Sequence, residues 1–366
     1  DINQRHFNKM KNHKKKILFL GRFSPPVHGA AKMNELYLNS LKEKFEVKKI
    51  KINYSLEIDE IGKINFRKIF GIFAVFFKLL YHLIFFRPSL VYFEIAPSGI
   101  AFYRDSVYAW LCKIFNRKLI FQLHAKGLRQ TKYSKALFKN CKMILLSELF
   151  YREVNKIIKR REVYILQNGI EDEITDKEFG QIIDKRKSKK KKTILFLSNM
   201  LEDKGPLDAL EICNKIRDEN FECLFVGAMR DKKFKRRWTE LKDGYSLDKK
   251  CTYLGPKYGE DKKNILKKAD FLLFPTKDER FPLVILEAFM YGIPVLSYDV
   301  GAIRKMVSKN YLGSVVKVND WEKLSESLKK RLLENSESEK IRENFKRNYQ
   351  LGKIMKKLIR IIEENL

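Results

Sequence analysis

Phe271-Leu-Leu-Phe274-Pro275-Thr-Lys-Asp-Glu279-Arg-Phe-Pro-Leu-Val-Ile-Leu-Glu287-Ala288, followed shortly by Pro294-Val-Leu-Ser297, is the stretch that decides how this chain folds. An apolar run of strand length leads into a polar loop, the loop into a short apolar helix, and the helix into a second apolar run. That is the pattern of strand, loop, helix and parallel strand. Pro282 falls at the helix start, where a missing amide hydrogen costs nothing. The free amides of Leu283, Val284 and Ile285 would then face the loop with the positive end of the helix dipole behind them, a setting that suits an anion. Glu279 would stand at the mouth of this site and Glu287 one turn inside it. A ligand with phosphates and two sets of hydroxyls could reach both. The same two carboxylates also read simply as solvated charges near a helix N-terminus.

Working outward in both directions, strand-like runs alternate with helical stretches along the whole chain, as in a parallel sheet covered by helices. One series is Lys16–Leu20, Val47–Ile52, Leu90–Phe93, Leu119–Leu123, Met143–Leu146 and Val163–Leu166. A second is Thr193–Leu197, Cys223–Val226, Thr252–Leu254, Phe271–Phe274, Val295–Ser297 and Ser314–Lys317. The predicted fold class is therefore α/β, with two Rossmann-like doubly wound domains facing a cleft and ligands beyond the carboxyl ends of the strands. The expected boundaries are a first domain over 1–170, a lysine-rich exposed linker over 171–192, a second domain over 193–345 and a terminal helix over 346–366. In that last helix Ile354, Leu358, Ile361 and Ile362 make an apolar stripe.

A chain of 366 residues with 45% hydrophobic content fills two ordinary cores. Its five cysteines, Cys112, Cys141, Cys213, Cys223 and Cys251, are too scattered for a zinc site or a disulfide framework, which predicts a reducing compartment. No secretory leader is expected, because the first apolar run, Ile17–Leu20, is too short. The net charge of +31 comes from lysine-dense runs and favours an anionic surface. Nucleic acid would answer to the same charge, but no zinc-finger spacing, RNA-recognition aromatics or basic zipper is present. A lysine-rich background composition would give the charge with no partner at all. The segment Ile69–Phe86 approaches spanning length but carries Lys78 and His82 and ends at Arg87-Pro88, so it reads as a helix of the first domain, partly core and partly interfacial.

The run Glu279-x7-Glu287 with Phe281-Pro-Leu-Val284 and Glu287-Ala288, then Tyr291-Gly-Ile-Pro-Val295 and Asp299-Val-Gly301, resembles the signature of family 4 retaining glycosyltransferases, which have the GT-B fold. The resemblance implies that Glu279 contacts the sugar hydroxyls of a nucleotide-sugar donor and that Glu287 holds the ribose. It implies a donor site completed by the amides of Leu283 and Val284, by Gly301 and by Arg280. In Leu197-Ser-Asn199-Met-Leu-Glu-Asp-Lys204-Gly205, Lys204 matches the family's diphosphate-binding lysine, while Asn199 stands where many members have arginine. Near the start, relatives have a loop with two adjacent glycines. Here only Gly29 remains, which would let the backbone approach a donor phosphate, preceded by His28, whose place is on the acceptor side. His124, after Leu119–Leu123, matches a histidine beside the transferred sugar. Arg104 and Asp105 would line the acceptor side. Ala302 and Lys305 depart from the family's second glycine and glutamate, and Tyr253–Tyr258 would cradle the base. The terminal helix would cross back to the first domain.

The implied reaction moves a sugar from a nucleotide-diphosphate sugar, a UDP-sugar above all, to a glycan or lipid-linked acceptor with retention. Cell-surface polysaccharide or glycolipid synthesis is the implied setting. No cofactor and no metal are expected: no Asp-x-Asp pair stands at a strand end, and Lys204, Arg280 and helix N-termini would stabilise the leaving diphosphate. Glu279, His124 and Lys204 are the expected catalytic residues. With the basic charge, this describes a cytoplasmic, peripheral enzyme at the inner face of the membrane. Two other readings predict different behaviour. A nucleotide-sugar epimerase would convert donor without acceptor, and a nucleic-acid- or membrane-binding protein with a vestigial fold would transfer nothing.

Overall fold

Every strand-like run of the two series above becomes a strand, and among the described residues the strands sort into two parallel sheets of six. The computed structural model describes residues 14–24, 29–52 and 66–366. His28, expected on the acceptor side, lies outside the described residues. The chain divides into two compact units, residues up to Gln167 joined by Gly352–Leu366, and Asn168–Leu351.

The first unit contains β1 (Lys16–Gly21), α1 (Gly29–Lys44), β2 (Glu46–Lys51), α2 (Phe66–Tyr81) prolonged by a π-helical turn (His82–Phe86), β3 (Leu90–Glu94), α3 (Gly99–Ile114), β4 (Lys118–Leu123), α4 (Lys132–Phe138), β5 (Lys142–Leu145) and β6 (Val163–Ile165). Its sheet order is β2-β1-β3-β4-β5-β6. Strands β1 and β3 are buried almost throughout, which is why they read as unbroken apolar runs rather than as alternating ones.

The second unit contains α5 (Asp176–Lys187), β7 (Lys192–Leu197), α6 (Pro206–Lys215), β8 (Phe221–Val226), α7 (Lys232–Gly244), β9 (Cys251–Gly255), α8 (Gly259–Lys268), β10 (Phe271–Phe274), α9 (Leu283–Met290), β11 (Val295–Tyr298), α10 (Ile303–Met306), β12 (Gly313–Val316), α11 (Trp321–Leu332) and α12 (Ser338–Asn348). Its order is β12-β11-β10-β7-β8-β9. The order turns back between β7 and β10, which pair in parallel through Phe271 with Ile194 and Leu272 with Leu195. Crevices for ligands open at such a reversal, beyond the carboxyl ends of the strands.

Helix α13 (Leu351–Glu364) takes the chain back to the first unit. Ile354, Met355, Leu358, Ile361 and Ile362 are buried there. The helix end is fixed by an ion pair between Lys44 and Glu363 and by Asn365 Nδ2 donating to the Tyr164 hydroxyl at 3.0 Å. The two passages between units leave the second unit side by side: Ile170 pairs with Gln350, and Leu351 N donates to the Ile170 carbonyl at 2.8 Å.

Two sequence-based boundaries move. The stretch 171–192 is not an exposed linker. Its middle is α5, capped by the Thr175 hydroxyl and burying Phe179, Ile182, Ile183 and Arg186. These positions follow helical spacing, but the surrounding lysines mask it. The Arg186 guanidinium reaches the carbonyls of Leu266 (2.7 Å), Tyr291 (2.8 Å) and Lys267 (3.1 Å), and burial pulls its pKa down to about 10. At the other end, the second unit runs on through α12 to Leu351 instead of stopping at 345. Arg342 on α12 is the reason: it is buried and donates to Asp172, to Met290 O at 2.9 Å and to Ile174 O at 2.7 Å.

Candidate active site

The loops after β7 and β10, the strands that flank the reversal, carry Lys204 and Glu279 respectively. Their approach is governed by a glycine. Gly205 has φ +75°, a left-handed conformation that supplies the N-cap of α6, and a Cβ there would overlap the Pro275 carbonyl. With no Cβ in the way, Lys277 N donates to Asp203 O at 2.7 Å and the loops close on each other. The Lys204 ammonium then sits between the Asp278 carbonyl at 2.7 Å and Glu279 Oε1 at 3.0 Å. Both side chains are only partly buried, so the ammonium and the carboxylate remain reachable from solvent. Behind them Asp208 accepts from Lys277 Nζ at 3.0 Å and from the Tyr298 hydroxyl at 2.7 Å. Burial, with Asp208 beside it, pushes the Tyr298 phenol far above its usual range.

Helix α9 opens on this loop. Pro282 is its N-cap residue and no side chain caps it, so the amides of Leu283 and Val284 retain their capacity to donate. Ile285, Leu286, Ala288, Phe289 and Met290 anchor the helix in the core, each large side chain contributing about 1.5–3 kcal/mol. Asn168, buried, donates from Nδ2 to Phe281 O at 3.0 Å and fixes the turn before the helix. Gly301, in the loop after β11, has φ +57°; a Cβ there would overlap the Glu279 carbonyl and approach that of Arg280 to 2.7 Å. The next amide, Ala302 N, donates to Arg280 O at 2.9 Å. Gly301 therefore acts through the backbone that carries Glu279 and Arg280.

Glu287 lies one turn inside α9, largely buried, with Lys262 Nζ of α8 at 2.6 Å. The structure thus joins Lys204, Glu279, Arg280 and Gly301 into one contact set and gives Glu287 a separate cationic partner. Asn199 is exposed in the loop after β7. In the stretch expected to cradle a base, the Tyr253 hydroxyl is turned to Gly227 O at 2.9 Å, while Tyr258 is 77% exposed.

In the first unit the carboxyl ends of β1, β3 and β4 hold a buried charge network. Glu94, at the end of β3, is fully buried and accepts from Arg22 N (2.8 Å), Arg22 Nη1 (2.6 Å) and Asn34 Nδ2. Burial alone would raise its pKa. The charges of Arg22 and His124 and the hydrogen bonds overcome that and hold the carboxyl below its ordinary range. His124 stands one residue beyond β4, half-buried. Asp105, expected to line the acceptor side, is instead wholly buried: it accepts from Ala96 N at 2.8 Å and from Arg104 Nε (2.8 Å) and Nη2 (2.6 Å). Burial raises its pKa despite Arg104 and Arg22. The Arg104–Asp105 pair therefore builds the loop after β3, and its carboxylate offers an acceptor no surface. Gly29 is the first residue of α1 and exposed.

Sequence reasoning did not single out Arg22, Glu94, Asn168 or Lys262. Glu94 carried a signal: an acid directly ends the apolar strand run Leu90–Phe93. Lys262 carried none in a chain this rich in lysine.

An ammonium, an uncapped helix N-terminus and carboxylates around one sheet reversal are suited to a ligand with phosphates and hydroxyls. Two doubly wound units, one with that site, define the GT-B class of architecture. Residues 179–348 match the family model of glycosyl transferases group 1. An uncharacterized glycosyltransferase of Methanocaldococcus jannaschii is 25% identical over 234 residues, 63% of this chain and 59% of that protein, so the chain spans somewhat more than half the length of this relative. Among solved structures, a glycosyltransferase from Rickettsia africae superposes with a TM-score of 0.76 at 18% identity, covering 97% of this chain and 99% of the other. The lipopolysaccharide outer core galactosyltransferase WaaB gives 0.74 at 15% (96% and 100% covered), and Anabaena HepE in complex with UDP and glucose gives 0.67 at 12% (96% and 100% covered). The second unit thus resembles glycosyl transferases group 1, and the fold of the chain is that of the GT-B glycosyltransferase structures.

Proposed function

We propose that the protein transfers a sugar from a UDP-sugar to a glycan or lipid-linked acceptor, with retention and without a metal, in the synthesis of a cell-surface polysaccharide or glycolipid. The observation that carries this reading is the Lys204 ammonium held at the switch point by Asp278 O and Glu279, beside the uncapped start of α9. In this reading Lys204 and the amides of Leu283 and Val284 neutralise the departing diphosphate, with Arg280 beside them. Lys204 exchanges its carboxylate partner for phosphate when the donor binds, which frees Glu279 to accept from sugar hydroxyls. Glu287 accepts from the ribose hydroxyls, with Lys262 keeping its carboxylate oriented. The acceptor hydroxyl attacks from the face the diphosphate leaves, and a phosphate oxygen takes its proton. His124 is the residue of the first unit assigned to the transferred sugar. The UDP bound to Anabaena HepE supports the choice of nucleotide, and the name of WaaB the choice of acceptor class.

A thermal-shift panel of UDP, GDP, ADP and their sugars tests the reading, because a ligand of the native state raises the melting temperature by mass action. The expected result is a response to UDP and a UDP-sugar that Glu287→Ala removes while the fold is kept. Indifference to every nucleotide, or conversion of the UDP-sugar with no acceptor present, would overturn it.

A further inference from the structure

The helices covering one face of the first unit's sheet are apolar on the side turned away from it. On α2 and its π-helical turn, Phe73, Phe77, Tyr81 and Phe85 are 59%, 61%, 57% and 68% exposed. Their spacing of four residues keeps them close to one stripe, while Val75, Leu79, Leu83 and Phe86 face inward and are buried. The neighbouring α3 repeats this arrangement. Ile100, Tyr103 and Val107 are 70%, 53% and 52% exposed, and Phe102, Tyr108, Ala109 and Cys112 are buried. The two helices are tied by the Tyr108 hydroxyl donating to Ile72 O at 3.0 Å. The connections from β2 to β3 and from β3 to β4 run in the same direction across the sheet, so right-handed crossovers set both helices on one face. The two stripes therefore lie on neighbouring helices of the same face, a grouping unlike singly scattered surface hydrophobics.

The charge around the patch selects its occupant. From Phe70 to Ser147 the only carboxylates are Glu94 and Asp105, and both are wholly buried and bonded to arginine. Over the same stretch Lys78, Arg87, Lys118, Lys132, Lys135 and Lys139 are exposed. A second copy of the chain docked on this face would bring two such basic stretches together. Aromatic rings in a stretch whose exposed charges are all lysine and arginine match instead the interface of a bilayer containing acidic headgroups. Among the described residues no helix is long and apolar enough to cross a membrane, so contact would be made by lying on the surface.

We infer that the outer face of α2, its π-helical turn and α3 is a docking surface for anionic lipid bilayers. The rings of Phe73, Phe77, Phe85 and Tyr103 enter the interface and the surrounding cations pair with lipid phosphates. This inference stands apart from the donor chemistry of the second unit and does not depend on it.

The test is co-sedimentation of the full chain with vesicles of phosphatidylcholine alone and of phosphatidylcholine with phosphatidylglycerol, at low and high salt. The wild type is expected to pellet with the anionic vesicles only, and less so as salt rises. The triple variant Phe73→Ser, Phe77→Ser, Phe85→Ser is expected to lose more than about tenfold in vesicle affinity. Those rings lie outside the core, so melting temperature and response to UDP should stay as in the wild type. Equal indifference to both vesicles, unchanged binding by the triple variant, or a dimer on gel filtration that the triple variant dissociates would each overturn the inference. A nucleotide response that fails while vesicle binding holds would count against the donor site alone.

Discussion

Replacing Gly301 by alanine separates the backbone geometry of the candidate site from the general cost of a side chain in left-handed space. Gly301 has φ +57°, and its new Cβ would overlap the Glu279 carbonyl and meet that of Arg280 at 2.7 Å. The left-handed conformation costs an L-residue about 1–2 kcal/mol. The overlap falls on backbone, so the Glu279–Arg280 segment must move, adding about 1–3 kcal/mol typical of overpacked sites. The sum centres on about 3.5 kcal/mol, a lowering of the melting temperature by roughly 7–14 °C for a unit of this size. Gly99, in the first unit, is the control. Its φ is +67° with nothing within 4 Å of the place a methyl group would take, so Gly99→Ala bears only the conformational cost, roughly 3–6 °C. Differential scanning fluorimetry with and without UDP reads both effects. Gly301→Ala should melt lower than Gly99→Ala and lose its UDP response, whereas the control keeps it. Equal melting points, or a Gly301→Ala protein with undiminished UDP affinity, would refute the reasoning.

Lys204→Ala should weaken UDP binding by about 10–100-fold, the scale of one charge-assisted hydrogen bond to phosphate, as measured by calorimetry. Its stability should change by less than about 1 kcal/mol, because the Lys204–Glu279 pair is partly open to solvent. Glu94 has a depressed pKa, so its stabilising contribution is complete above the ordinary glutamate range and is lost as pH falls through and below it. The gap in melting temperature between wild type and Glu94→Gln should therefore be widest near neutrality and shrink between about pH 5 and pH 2; a gap that widens on acidification would contradict the network. Burial pushes the Cys112 thiol up to about 12 and that of Cys141 up to about 11, so neither should react with iodoacetamide at neutral pH until the first unit unfolds. Mass spectrometry of the native, alkylated protein checks this.

Strands such as β1, β3, β10 and β11 were legible because each is a short run buried on both faces, a signal that needs no tertiary context, and the loop-to-helix junction at Glu279–Glu287 was legible from an equally local pattern. What escaped detection depends on partners distant in sequence. Arg22 and Glu94 lie 72 residues apart, Lys204 and Glu279 75 apart. No local pattern announces such pairs, and in a chain with 76 lysines and arginines the candidate phosphate-binding cation looks like any other. The resemblance, not the spacing, singled out Lys204. The same abundance hid α5, whose apolar stripe lies among charged neighbours. Asp105 misled in the opposite direction: an Arg-Asp pair early in a helix reads as surface chemistry, and only packing shows that its carboxylate is turned inward. In Ile69–Phe86 the amphipathic character was visible, but which rings stay outside follows from the side on which the sheet lies.

The central claim is that the reversal between β7 and β10 binds a nucleotide diphosphate through Lys204 and the start of α9. A crystal structure of the chain with UDP tests it most directly. The account requires the diphosphate beside Lys204 Nζ and the Leu283 and Val284 amides, the ribose on Glu287, and the contact between Lys204 and Glu279 opened. UDP seated on another surface, or the same site occupied with Lys204 still bound to Glu279 and distant from phosphate, would contradict it.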